Sequence, residues 1–214
     1  MQPTFRPWKP SGDPRFNGLR LLIVGESHYD EDEPPPVEEW AAFTTQIVAQ
    51  YGLNAQKYQR FFGNIYTTFN DDGAHWSSDK FKQFWNSVYF YNYVQSFVPG
   101  QSRVRPTARQ FSESAAAFLA VLDDLKPDAI VVVGQTTWDL MSDRGAKLVE
   151  QDEDGLGSIY RYEYNGGSCL AGHTHHPSSI GYSADYWRPR VARFLGAIWN
   201  GRTCGRRDVR RGAY

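Results

Sequence analysis

The sequence predicts an α/β protein: a three-layer α/β/α fold around a central, mainly parallel four-stranded sheet. Three observations carry that reading. Residues 19–24 (LRLLIV) and 128–133 (DAIVVV) are short, largely apolar runs of strand length. Each is followed by a glycine, Gly25 or Gly134, where the chain can turn sharply. Stretches with helical periodicity lie between such runs, and strands alternating with helices imply a parallel sheet covered on both faces.

Residues 1–18 are polar and proline-rich, and read as an N-terminal extension. The first strand, 19–24, leads into 29–36 (YDEDEPPP), whose prolines and acids favour an exposed loop. Residues 38–51 and 57–69 have helix-period apolar positions, with Asn54 as a cap between them. A further short helix is expected over 79–85. Residues 87–94 (SVYFYNYV) are rich in Val, Tyr and Phe and read as the second strand. Thr107 caps a long helix that ends at Lys126-Pro127, because the residue before proline avoids the helical region. After 128–133, a helix is expected over 135–141. Residues 158–164 and 168–173 flank Asn165-Gly166-Gly167, a strong hairpin signal. A last helix over about 185–199 completes a single domain, 19–200, before a basic tail, 201–214.

Composition narrows the function. The chain has 214 residues, enough for one domain with a substantial core. A formal net charge of −1 excludes a surface that is basic all over, so nucleic-acid binding would need local patches. Arg103, Arg105, Arg109 and the tail are the concentrated positive charge. Two cysteines, Cys169 and Cys204, are too few for a disulfide framework or a cysteine-bound iron–sulfur cluster. Residues 1–14 have no apolar core of a signal peptide, and no run has the length of a membrane span. A cytoplasmic protein with no membrane contact is expected.

Two segments carry the chemistry. Gly25-Glu26-Ser27-His28-Tyr29 follows the first strand, and His173-Thr174-His175-His176-Pro177-Ser178 ends the last. Ligands of open α/β sheets bind outside the carboxyl ends of the strands, so these loops are expected to share one crevice. Glu26 could orient or deprotonate a water, and Tyr29 could wall off a flat ring. Asn92 interrupts an aromatic strand; a buried amide there either closes a backbone gap or faces a polar ligand. Three imidazoles raise the question of zinc. His175 and His176 are adjacent, however, and point to opposite sides of an extended segment, so no metal or other cofactor is expected. An imidazole donating to an oxygen that gains charge is the alternative role.

In order and spacing these segments resemble the uracil-DNA glycosylase superfamily, over about residues 19–199. Gly25 to Tyr29 stands where members have Gly-x-x-Pro-Tyr or Gly-Glu-x-Pro-Gly. Residues 88–106 resemble the segment supplying the uracil-reading Asn, here Asn92, and 126–141 resemble the third strand and its helix. His176-Pro177-Ser178 fits the His-Pro-Ser motif, with Ile180 near the residue that wedges into the DNA stack. The chain departs from the family in places. His28 replaces a proline, Ser27 stands where some branches have a catalytic Asp or Asn, and Ser179 replaces a proline.

The resemblance implies a monomer acting on DNA that flips a deaminated base into a pocket. Asn92 would read the base, with Gly25, Tyr29, His28 and Ser178 around it. His176 would hydrogen-bond the base oxygen, Glu26 would position the attacking water, and Ser27 would help hold that water. Ser179, Ile180, Arg103 and Arg105 would touch the DNA. The near-zero charge and the acidic loop leave as a first alternative a same-fold enzyme for a free nucleoside, nucleotide or other small substrate. A module that binds nucleic acid without cutting it and a metal-dependent hydrolase using His28, His173, His175 or His176 with Glu26 are the others.

Overall fold

In the computed structural model, residues 2–30, 34–54, 59–72, 77–100, 104–141, 145–152 and 154–208 are described, without the side chains of Asp30 and residues 202–208. The strands are β1 (Leu21–Gly25), β2 (His28–Asp30), β3 (Tyr89–Asn92), β4 (Phe97–Pro99), β5 (Ala129–Val133), β6 (Ala146–Asp152), β7 (Gly157–Tyr164) and β8 (Gly167–Thr174). The helices are α1 (Val37–Val48), α2 (Arg60–Phe69), α3 (Ser78–Trp85), α4 (Ala108–Leu125), α5 (Gln135–Met141) and α6 (Ala184–Asp208), and α1 runs into a wider π turn at Ala49–Leu53.

The α/β class and the mainly parallel sheet hold. The sheet has six strands rather than the expected four, in the order β3-β1-β5-β8-β7-β6. β3, β1, β5 and β8 are parallel, and β7 and β6 extend the sheet antiparallel. The hairpin expected at Asn165-Gly166 is β7–β8, with Gly166 at φ +88°. β6 (AKLVEQD) is an exposed edge strand whose sequence lacks an apolar run, which is why it escaped the pattern. β2 and β4 form a separate two-stranded parallel ribbon.

Side chains alternate along a strand, and here they divide the core in two. Leu21, Ile23, Val131 and Val133 join Phe62, Ile65, Trp85 and Phe194 on one face. Leu22, Val24, Ile130 and Val132 join Phe111, Phe118, Leu122 and Trp138 on the other. α4 begins with the expected Thr107 cap, made reciprocal by Gln110, and ends at Lys126 in the left-handed conformation.

Two boundaries move. The N-terminal segment is part of the body: Phe5 and Trp8 are buried, and Trp8 pairs through its backbone with Phe90, covering the β3 edge. α6 runs on to Asp208, through the start of the expected tail. Asn54 closes the π turn from behind, as a C-cap rather than the start of the next helix. Among the described residues, no helix is long and apolar enough to cross a membrane.

Candidate functional site

The topology brings the two loops to one rim. β5 lies between β1 and β8, all three are parallel, and Glu26 and His176 follow the carboxyl ends of the outer two. By ordinary sheet spacing, two inter-strand steps put the ends of β1 and β8 roughly 10 Å apart. Gly134 and the first turn of α5 fill the middle, and each residue from 134 to 137 meets one site group. Gly134 faces the His176 ring, where an added Cβ would lie 3.8 Å from Cδ2. Gln135 Oε1 meets His173 Nε2 at 2.8 Å. Thr136 Oγ1 accepts from the Arg105 guanidinium. Thr137 Oγ1 donates to Glu26 Oε2 at 3.2 Å.

Glu26 is half-buried. Loss of water raises its carboxyl above the ordinary glutamate value, while Thr137, Arg105 and Tyr29 oppose that rise. The Tyr29 hydroxyl stands 3.5 Å from Glu26 Oε1, at the outer limit of a hydrogen bond, and burial raises that phenol. Ser27 Oγ is buried without a hydrogen bond of full geometry, although it pulls the Tyr29 phenol back down somewhat. A buried hydroxyl left so costs about 1–3 kcal/mol.

His176 has a defined tautomer. The Ser178 backbone N–H donates to Nδ1 at 3.2 Å, which puts the ring proton on Nε2. Burial first, then the Arg105 charge, holds the ring below the usual histidine value. A neutral Nε2–H donor is the result at pH 7. The His176 carbonyl accepts from Ser179 N at 2.9 Å and Ser179 Oγ at 2.7 Å, closing a tight turn. From α2, Asn64 donates to the Pro177 carbonyl at 2.6 Å, Arg60 to the Ser179 carbonyl at 3.2 Å, and Phe61 packs on the His176 ring at 5.3 Å. Beyond this braced turn, Ile180 is 100 % exposed, followed by Gly181 at φ +79°.

Three expected site residues have structural work. Asn92 is 7 % exposed, and its amide donates to the Ser27 carbonyl at 3.0 Å and meets His28 Nδ1 at 3.2 Å. Both amide hydrogens are thereby committed, so Asn92 latches the first loop instead of offering them to a base. Its Oδ1 lies over Gly25, where a Cβ would come within 2.3 Å. That close approach requires a glycine at position 25. His28 is 4 % exposed, boxed by Phe5, Phe43 and Phe97, with Nε2 2.9 Å from Thr44 Oγ1. Burial lowers it to about 3, so it is a neutral core residue and not a substrate contact.

The other imidazoles diverge. His173 stacks on Trp138 at 5.1 Å and is lowered by burial to about 4, and His175 meets Trp187 at 5.0 Å. Among the described residues, no three His, Cys, Asp or Glu side chains gather in an arrangement that could hold a metal ion. Ser178 is exposed and Ser179 half-buried on the turn, and Arg105 is exposed, with its guanidinium on Thr136. Arg103 lies outside the described residues. Sequence reasoning missed Phe61, Asn64, Thr136 and Thr137, since no local pattern marks which residues of α2 and α5 reach the rim. The chain matches no protein-family model and no curated protein sequence.

Proposed function

We propose that this protein hydrolyses the N-glycosidic bond of a deaminated base in DNA, as a divergent uracil-DNA glycosylase-like enzyme. The observation that carries the reading is that a half-buried carboxylate and an imidazole with its N–H on Nε2 follow the carboxyl ends of β1 and β8, the two parallel strands that flank β5. Cleavage builds positive charge on the sugar and negative charge on the departing base. His176 Nε2–H donates to the base oxygen, an interaction worth about 3 kcal/mol in comparable oxyanion sites. Glu26 orients the attacking water and takes its proton, for which a raised pKa is an advantage. Tyr29 stands beside Glu26, Ser27 Oγ is buried beneath the loop and out of reach of the water, and Ile180 projects where a strand would pass. Arg60, anchored on the same turn, is placed for a phosphate.

The commitment of Asn92 to Ser27 and His28 favours a second reading, a free nucleoside or nucleotide as substrate, because the expected base-reading donors are occupied. One screen separates the two. Oligonucleotides bearing uracil, hypoxanthine or xanthine are incubated with the protein and treated with alkali, while the matching free nucleosides are assayed for released base. Strand scission at the lesion supports the DNA reading. Base release from nucleosides alone supports the second, and neither product contradicts both.

A further inference from the structure

The charge of this chain is unevenly placed. From Ser179 onward the sequence holds eight arginines and two aspartates, a formal +6 in a chain whose total is −1. The residues before Ser179 carry the balancing excess of acid. A polyanion is drawn to the segment that follows the His176 turn.

That segment opens with features the core does not use. The Tyr182 N–H donates to the Ser179 carbonyl at 3.3 Å and Gly181 has φ +79°, the pattern of a type II turn. Ile180 sits at its tip, 100 % exposed. The chain then passes through Ser183, whose Oγ accepts from the Tyr186 N–H at 3.2 Å, into α6. Tyr186 is 49 % exposed, yet its ring is held in place. The Arg190 guanidinium lies 3.6 Å from the ring centroid and donates to the Tyr186 carbonyl at 2.7 Å. The buried Trp187 meets the same ring edge-on at 5.0 Å. Arg188 is taken by Asp71 and Asp185, and Arg193 by Asp152. Among the described residues, no acid pairs with Arg190 or with Arg60, which reaches the Ser179 carbonyl from α2 at 3.2 Å.

We propose that the Ser179–Tyr182 turn and the first turns of α6 form a binding surface for single-stranded DNA. Tyr186 stacks an unpaired base, Arg190 backs the ring, and Arg60 takes an adjoining phosphate. The choice of DNA rests on the proposed function; the surface itself uses neither Glu26 nor His176. Its physical basis is that a duplex hides its base faces while an unpaired strand offers them, and a tyrosine ring accepts any base on its face. An arginine against that ring adds a cation–π contact and fixes its orientation before binding. Arginines without an acidic partner are the ones that can release counterions from phosphate.

The test titrates the full chain into a fluorescein-labelled, undamaged deoxythymidine oligonucleotide of about 15 nucleotides and follows anisotropy across a salt series. Tyr186→Ala is expected to weaken binding by about tenfold or more, the loss of one stacked base, with the salt slope unchanged. Tyr186→Phe, which retains the ring, is expected to bind within about twofold of the natural protein. Arg60→Gln is expected to reduce the slope of log K against log salt by about 0.7, the signature of one lost phosphate contact on a single strand. Unchanged affinity in a folded Tyr186→Ala overturns the proposal, and so does a Tyr186→Phe as weak as the alanine variant. Tighter binding to the fully paired duplex, or to the matching uridine ribo-oligonucleotide, overturns it as well. The probe holds no lesion, so failure to release any base leaves this result standing, and failure to bind the probe leaves the base-release screen standing.

Discussion

Two histidines separated by the length of the sheet's topology, His28 and His176, occupy opposite kinds of surroundings. Each follows a parallel strand, each is shielded from water, and each is held neutral. Around His28 both ring nitrogens have partners, Thr44 and Asn92, and aromatic rings close the box. Around His176 one nitrogen is taken by Ser178, and the ring shares its rim with Glu26, Arg105 and an exposed hydrophobic residue. The lesson is that a histidine after a strand end declares its role by what covers it. For His28 the cover is Phe5, from the segment that reads in sequence as an N-terminal extension.

The comparison breaks if the enclosed region carries activity or the open rim carries stability. The largest effect is expected from Glu26→Gln, which should lower base release by about 10²- to 10⁴-fold with an unchanged melting temperature. Phe5→Ala should do the reverse and destabilise the fold by about 3–5 kcal/mol, read by urea unfolding, since it opens the His28 box. Gly25→Ala should cost about 1–3 kcal/mol, because the new Cβ displaces Asn92 Oδ1 and loosens the latch on the first loop.

The His28 box also predicts a pH dependence. The unfolded chain takes a proton near pH 6.5, whereas folded His28 refuses it until about 3. Stability therefore declines as pH falls from about 6.5 towards that value, by at most about 1.4 kcal/mol per pH unit. His28→Phe, which cannot take the proton, should lose less between pH 7 and pH 5 than the natural protein. Parallel losses in the two would contradict the assignment. The smallest effect is expected from Ile180→Ala, under about 0.5 kcal/mol of stability for a fully exposed side chain, against a measurable loss of affinity for lesion-bearing DNA.

The buried parallel strands were legible because β1 and β5 are apolar on both faces, and the long α4 because Thr107 and Pro127 bracket it. β6 was not, since an edge strand reading Ala-Lys-Leu-Val-Glu-Gln-Asp has no run to show. Glu26 and His176 could be paired from topology alone, because parallel strands deliver their following loops to one side. Asn92 could not be assigned. Its residue type fits both a base reader and a structural latch, and only the positions of Ser27 and His28 decide between them. Thr136 and Thr137 are two adjacent hydroxyls in a helical turn, a pattern that carries no signal until Arg105 and Glu26 are seen to meet it.

The most direct measurement is single-turnover release of uracil from a uracil-containing oligonucleotide, comparing the natural protein with Glu26→Gln at pH 7. Abasic sites are expected with the first and a loss of at least about 100-fold with the second. Equal rates for the two proteins would contradict it.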